Sequence, residues 1–309
     1  MSASVRALSI RQKDNDSAWK DIIERFFYDM LERAMPDLYQ DANRAIKPRF
    51  MDKELKKATY TVKGGKHVVD FLVEVPLLNG DNEWVLMHLE CQGKGGESLP
   101  IRMYHYKSLI FAMYKREPVA LAIITDKRPK NEPEYYESDS YRTKVTYTYN
   151  RLVVADLNER ELLATHNPFD LALCAAKRAL LCERDERQKH TYLKELLGFL
   201  GERGWNHEDK HGLLLFIENI INLNDGELWL DIVKYQEELD REGKIMYVSI
   251  AERVYRERWT KEGKQEGLQE GERKKALETA RRMISRNMDI ATIADLTGLS
   301  EDDVRNLLN

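Results

Sequence analysis

Asp70 stands inside one apolar run, and Glu90-Cys91-Gln92 closes the next. The two runs, Val68–Val75 and Trp84–Leu89, are β-branched or aromatic. The linker "PLLNGDNE" carries the turn residues Asn79, Gly80 and Asp81, so the runs read as paired strands. A carboxylate among core residues is costly unless something pairs with it. Side chains alternate along a strand, so Glu90 and Gln92 share a face with His88. In an antiparallel hairpin Asp70 can approach Glu90, although loop length alone does not set the register. Two neighbouring carboxylates repel and raise each other's pKa, and a divalent cation removes that repulsion. Mg²⁺ suits such a site, being hard and oxygen-liking, with Mn²⁺ or Ca²⁺ as substitutes. It can polarise a phosphoryl oxygen and acidify a bound water. The backbone carbonyl of Cys91 is a further candidate oxygen ligand.

Other elements must position these groups. Trp19–Met35 places Ile22, Ile23, Phe26, Phe27, Met30 and Leu31 on one helical stripe, with Asp16 or Ser17 as candidate cap and Pro36 as its end. Glu54–Val62 reads as a first strand. Residues 98–116 read as a helix, and "PVALAIITD" (118–126) as a strand buried on both faces, as in an α/β sheet. Residues 144–157 hold one or two more strands. From about 160 the pattern is helical. From about 241 it is dense in charge, with Gly263, Gly267 and Gly271 at intervals of four. The end of the chain reads helix, turn at Gly298, Ser300 cap, helix. The resulting division is 1–160 for the α/β part, 161–240 for a helical region and 241–309 for a charged tail with a helix-turn-helix-like hairpin.

The 309 residues carry a net charge of −4, so any nucleic-acid contact must be local rather than spread over a basic protein. Cys91, Cys174 and Cys182 form no CxxC pair, which argues against a zinc site or disulfide framework and fits a reducing cytoplasm. No apolar leader opens the sequence, and no run reaches the length of a membrane span.

The order Asp, then Glu-x-Gln, on two strands between helices resembles the PD-(D/E)XK nuclease fold. In detail, "NDSAWKDIIERFF", "KHVVDFLVEV", "WVLMHLECQ" and "RMYHYKSLIFAMY" resemble, in order, the blocks of the recombination-promoting nuclease (YhgA-like) family of bacteria. The resemblance covers nearly the whole chain and is best over 16–126. It implies a mixed sheet flanked by helices, and a metal-dependent DNA endonuclease linked to recombination or a mobile element. Asp70 and Glu90 then become metal ligands, and Gln92 takes the place of the usual lysine. Glutamine is neutral and cannot act as a base, so it can only orient water. The fold often adds an acid from an early element, and Glu24 and Glu54 are both candidates.

Plainer readings stand beside these. Asp70 alone is also compatible with a structural salt bridge, and Glu90 and Gln92 with a solvated strand end. His88 and His105 read as structural or surface groups, and Tyr104, Tyr106 and Tyr114 as core. Arg102, Lys107 and the loop 127–133 are candidate phosphate contacts. Two other classes of function remain: a DNA-binding accessory that has lost catalysis, and an interaction protein acting through its tail. A dimer is expected if both DNA strands are cut.

Overall fold

The computed structural model describes residues 15–51, 69–90, 98–125, 133–182, 184–246 and, in the C-terminal segment, 276–277, 279–280, 283–284, 288–297, 300 and 303–304. For Asp70, His88 and Glu90 the description is of the backbone. Two compact units divide the chain, Met1–Tyr247 and Val248–Asn309.

In the first unit a five-stranded mixed sheet runs in the order β1 (Arg49–Phe50), β2 (Val69–Pro76), β3 (Asn82–Glu90), β4 (Val119–Ile124), β7 (Asn150–Val153). The pairs β1–β2 and β2–β3 are antiparallel, while β3–β4 and β4–β7 are parallel. The expected hairpin forms: Leu77 N donates to Asp81 O at 2.8 Å, and Gly80 takes a φ of 91° that few residues with a Cβ adopt. Strand parity sorts the side chains. Phe71, Val73, Val85, Met87, Leu121 and Ile123 face one hydrophobic layer. Leu72, Trp84, Leu86, Ala120, Ala122 and Ile124 face another, built on α4 (Leu99–Tyr114) through Leu99, Met103 and Ile110. The α/β sheet covered on both faces is thus the architecture read from the sequence.

The first layer is helical. The stripe from Trp19 to Leu31 is buried, but it lies on two helices, α1 (Asn15–Arg25) and α2 (Phe27–Ala34). Phe26 breaks them apart with φ −111° and ψ 38°. Asp16 and Ser17 lie inside α1 rather than capping it, and Pro36 opens a further helix, α3 (Pro36–Asp41), at the position where its missing N–H matters least. Helices from far along the chain complete this layer: α8 (His207–Ile221) packs on α1 and α6 (Pro168–Cys182) on α2, and α5 (Glu159–Ala164), α7 (Glu186–Glu202) and α9 (Gly226–Arg241) extend it from behind them. Trp19 meets Phe216 edge-on at 4.9 Å between ring centroids, and Phe169 at 6.4 Å. Helix starts are capped by side chains: Asn158, Asp185, Asn206 and Asp225 each accept from a backbone N–H of the first turn.

Asp29 on α2 sits partly desolvated beside this packing. Burial pushes its carboxyl up to about 6, and Glu32 adds to the rise. The unfolded value is about 3.9, so the folded state holds a proton that the unfolded state releases between those values. Stability therefore falls as pH rises through that window. Asp29→Asn is expected to raise the melting temperature at pH 7.5 and to leave it unchanged near pH 4. Thermal melts at the two pH values check the sign.

The strand expected at Glu54–Val62 and the glycines at 263, 267 and 271 lie outside the described residues. A second, two-stranded sheet joins β5 (Tyr136–Ser140) to β6 (Thr143–Tyr147). In the second unit, α10 (Ile290–Thr297) carries Ile293 into a small core with Ala280 and Val304. Asp289 accepts from Thr292 N at 2.9 Å, and Ser300 Oγ from Asp303 N at 3.1 Å, as the expected cap at Ser300 requires.

Candidate metal and nucleic-acid site

The placement of Asp70 depends on the β2–β3 register, and a polar row holds that register. Arg49, Glu74 and Trp84 are successive cross-strand partners on β1, β2 and β3. Glu74 accepts from Arg49 Nε at 2.8 Å and from Trp84 Nε1 at 3.1 Å. The Arg49 guanidinium holds the Glu74 carboxyl below its usual range. A slip of one residue would break both bonds and turn the apolar set of β2 onto the wrong face.

With the register held, Asp70 lies opposite His88 and Val69 opposite Leu89. Glu90 is two residues beyond His88, so it is the diagonal neighbour of Asp70 on the same face. Such neighbours stand about 7–8 Å apart at Cα. Glu90 also pairs with Ile124 on β4, which pairs in turn with Val153 on β7. The carboxyl ends of three parallel strands therefore meet at the edge where β2 begins. In open α/β sheets this is the end at which ligands bind.

Of the sequence-expected site residues, Asp70 and Glu90 are brought to one face at one sheet end. Cys91 and Gln92 lie outside the described residues, as does Glu54. Glu24 lies on α1, where it pairs with Lys20 at 3.6 Å, and Lys20 Nζ stands 5.9 Å from the ring centroid of Phe71, the residue after Asp70. Lys107 pairs with Glu117 at 2.7 Å, which occupies it in a contact other than phosphate. Tyr106 and Tyr114 pack against the α4 layer, as expected. His105 is exposed. The loop 127–133 is described at Pro133 alone.

Among the described residues no group of three or more His, Cys, Asp or Glu side chains stands together as a metal cage. Asp70 and Glu90, described by their backbone alone, lie outside that statement. The strands expected over 144–157 are β6 and β7, and what the sequence reading did not anticipate is β5, which pairs with β6 as a ribbon. β5 is exposed beyond Tyr136, so it lacks the alternation that marks a half-buried strand.

Residues 273–309 match the model of the C-terminal HTH domain of the Rpn/YhgA-like nuclease family. The match supports the Rpn/YhgA-like family, the family that the blocks over 16–126 resemble. No curated protein and no solved structure matches the chain. Among the described residues no helix is long and apolar enough to cross a membrane.

Proposed function

We propose that this chain, which carries the C-terminal domain of the Rpn/YhgA-like nuclease family, is a metal-dependent DNA endonuclease. The observation that carries the reading is the register that sets Asp70 diagonal to Glu90 at the carboxyl end of parallel strands. Asp70 and Glu90 supply anionic oxygens to a divalent cation, Mg²⁺ by preference, with the Cys91 carbonyl as a third donor. Bound there, the ion supplies Lewis acidity toward a phosphoryl oxygen and a lowered pKa for a water. Gln92 orients that water through its amide, which donates and accepts hydrogen bonds but takes no proton. The helix-turn-helix segment supplies a second contact with DNA, of the kind in which a helix enters the major groove. Cutting both strands calls for two such sites, hence a dimer. The working compartment is the cytoplasm, where Cys174 and Cys182, both buried thiols, stay reduced.

The test is nicking of supercoiled plasmid by the purified chain, with Mg²⁺ and with EDTA. Nicking is expected in Mg²⁺ and its loss in EDTA. Gln92 in the lysine position favours one other reading, a DNA-binding accessory of a recombining or mobile element without catalysis. Absence of nicking in Mg²⁺, Mn²⁺ and Ca²⁺ by well-folded protein would select it.

A further inference from the structure

We propose that the β5–β6 ribbon is a DNA-contacting arm that places Tyr141 and Arg142 in a groove of duplex DNA; this rests on the reading of the chain as a DNA-acting protein. The ribbon is anchored at one end only. At its base Tyr136 stacks on Tyr104 of α4, with centroids 4.4 Å apart and planes 12° from parallel, and Tyr147 leans on the same ring at 5.9 Å. α4 is the helix that follows Glu90 in the chain, so the anchor is on the element that packs over the candidate site's face of the sheet. Beyond the base the strands are solvent-exposed.

The tip is built against local preference. Ser140 pairs with Thr143, which leaves Tyr141 and Arg142 as a two-residue turn. Both take left-handed backbone, φ 48° and 68°. Asn-Gly is the pair this turn favours, and any residue with a larger side chain is disfavoured in it. The tip instead presents an aromatic ring that is 100% exposed beside an arginine. Neither residue has a hydrogen-bond or ion-pair partner among the described residues, so no such contact there explains the choice.

The chemistry selects the partner. Glu137 is neutralised by Lys144 at 2.7 Å, and Asp139 lies opposite Lys144 in register. The ribbon as a whole is neutral, since Asp139 offsets one of its two bases, and Arg142 is the cation at its tip. An arginine contacts phosphate or the guanine edge, a tyrosine hydroxyl donates to a phosphate oxygen, and a two-stranded ribbon fits the major groove. A protein of net charge −4 requires such a local contact to approach DNA.

The test replaces the tip by the pair the turn prefers, Tyr141→Asn with Arg142→Gly, in the full chain. This variant is expected to fold as well as the wild type or better, which thermal melting reads. Its affinity for a short labelled duplex, measured in EDTA, is expected to fall about tenfold or more. The slope of log affinity against log salt is expected to shrink by about 0.9, one phosphate contact. Equal affinity and equal slope, with the wild type binding and nicking DNA, would overturn the arm and leave the nuclease reading intact. Loss of affinity in the variant, with a wild type that never nicks, would support the arm and overturn the nuclease reading. A wild type that does not bind duplex overturns both. A variant that binds as wild type but elutes as a smaller species assigns the ribbon to contacts between copies, and the arm fails.

Discussion

Asp70→Asn is expected to lower metal-dependent nicking by about a thousandfold or more, with Glu90→Gln matching it. Each substitution keeps the size of the side chain and its place on the strand while removing an anionic oxygen. A metal in such a site is worth several kcal/mol of transition-state stabilisation, and about 4 kcal/mol corresponds to a thousandfold. The double variant should be little worse than either single one, because ligands of one centre act as a unit. Stability separates this from a structural role. The two positions are diagonal neighbours on the ladder, so removing one carboxylate relieves repulsion. In EDTA the melting temperature should stay level or rise. A lower melting temperature together with unchanged nicking would make Asp70 a structural residue and sink the site.

Arg33→Met is expected to destabilise the first unit by about 3–5 kcal/mol. Asp170 on α6 is fully buried. It accepts from Arg33 Nε at 2.7 Å, from the Arg33 Nη2 by a second short bond, and from Thr165 Oγ1 at 2.7 Å. Methionine fills the aliphatic part of the site and leaves the carboxylate facing only a hydroxyl. The neighbouring joint keeps its own bonds, since Asn167 Nδ2 donates to Asp29 O at 2.9 Å and to Glu32 at 2.8 Å. Adding Asp170→Leu should recover most of the loss, because a buried pair replaced whole by apolar groups costs little. Urea unfolding followed by circular dichroism measures both variants. A loss below about 1 kcal/mol would mean that the pair is solvated in solution and contributes as surface pairs do.

The hairpin β2–β3, the buried strand β4 and helix α4 were legible in the sequence because each has a clear period or an unbroken apolar run bounded by turn residues. The shared face of Asp70 and Glu90 was legible for the same reason. The register was not, because it rests on Arg49, Glu74 and Trp84, three residues from three strands. Periodicity also hid the break at Phe26, since the apolar stripe continues unbroken across it. Of the ribbon only β6 was legible, from its β-branched and aromatic residues, while β5 escaped notice because its residues beyond Tyr136 face water and carry no alternation. The pairing of Arg33 with Asp170 joins positions 137 residues apart, and nothing local in either segment announces it.

The meeting of Trp19 with Phe169 and Phe216 has a consequence for how the protein is made. Phe50 and the strands β2–β4 reach the stripe of α1 and α2 early in synthesis, yet the ring partners of Trp19 are encoded 150 and 197 residues after it. At about 5–20 residues per second, the ribosome leaves Trp19 without those rings for on the order of 10–40 s. Contacts this distant also slow the folding search itself. The nascent chain is therefore expected to be a client for holding chaperones until α8 has been made. Slowing synthesis between codons 35 and 216 should lower the soluble yield even though the encoded sequence is unchanged.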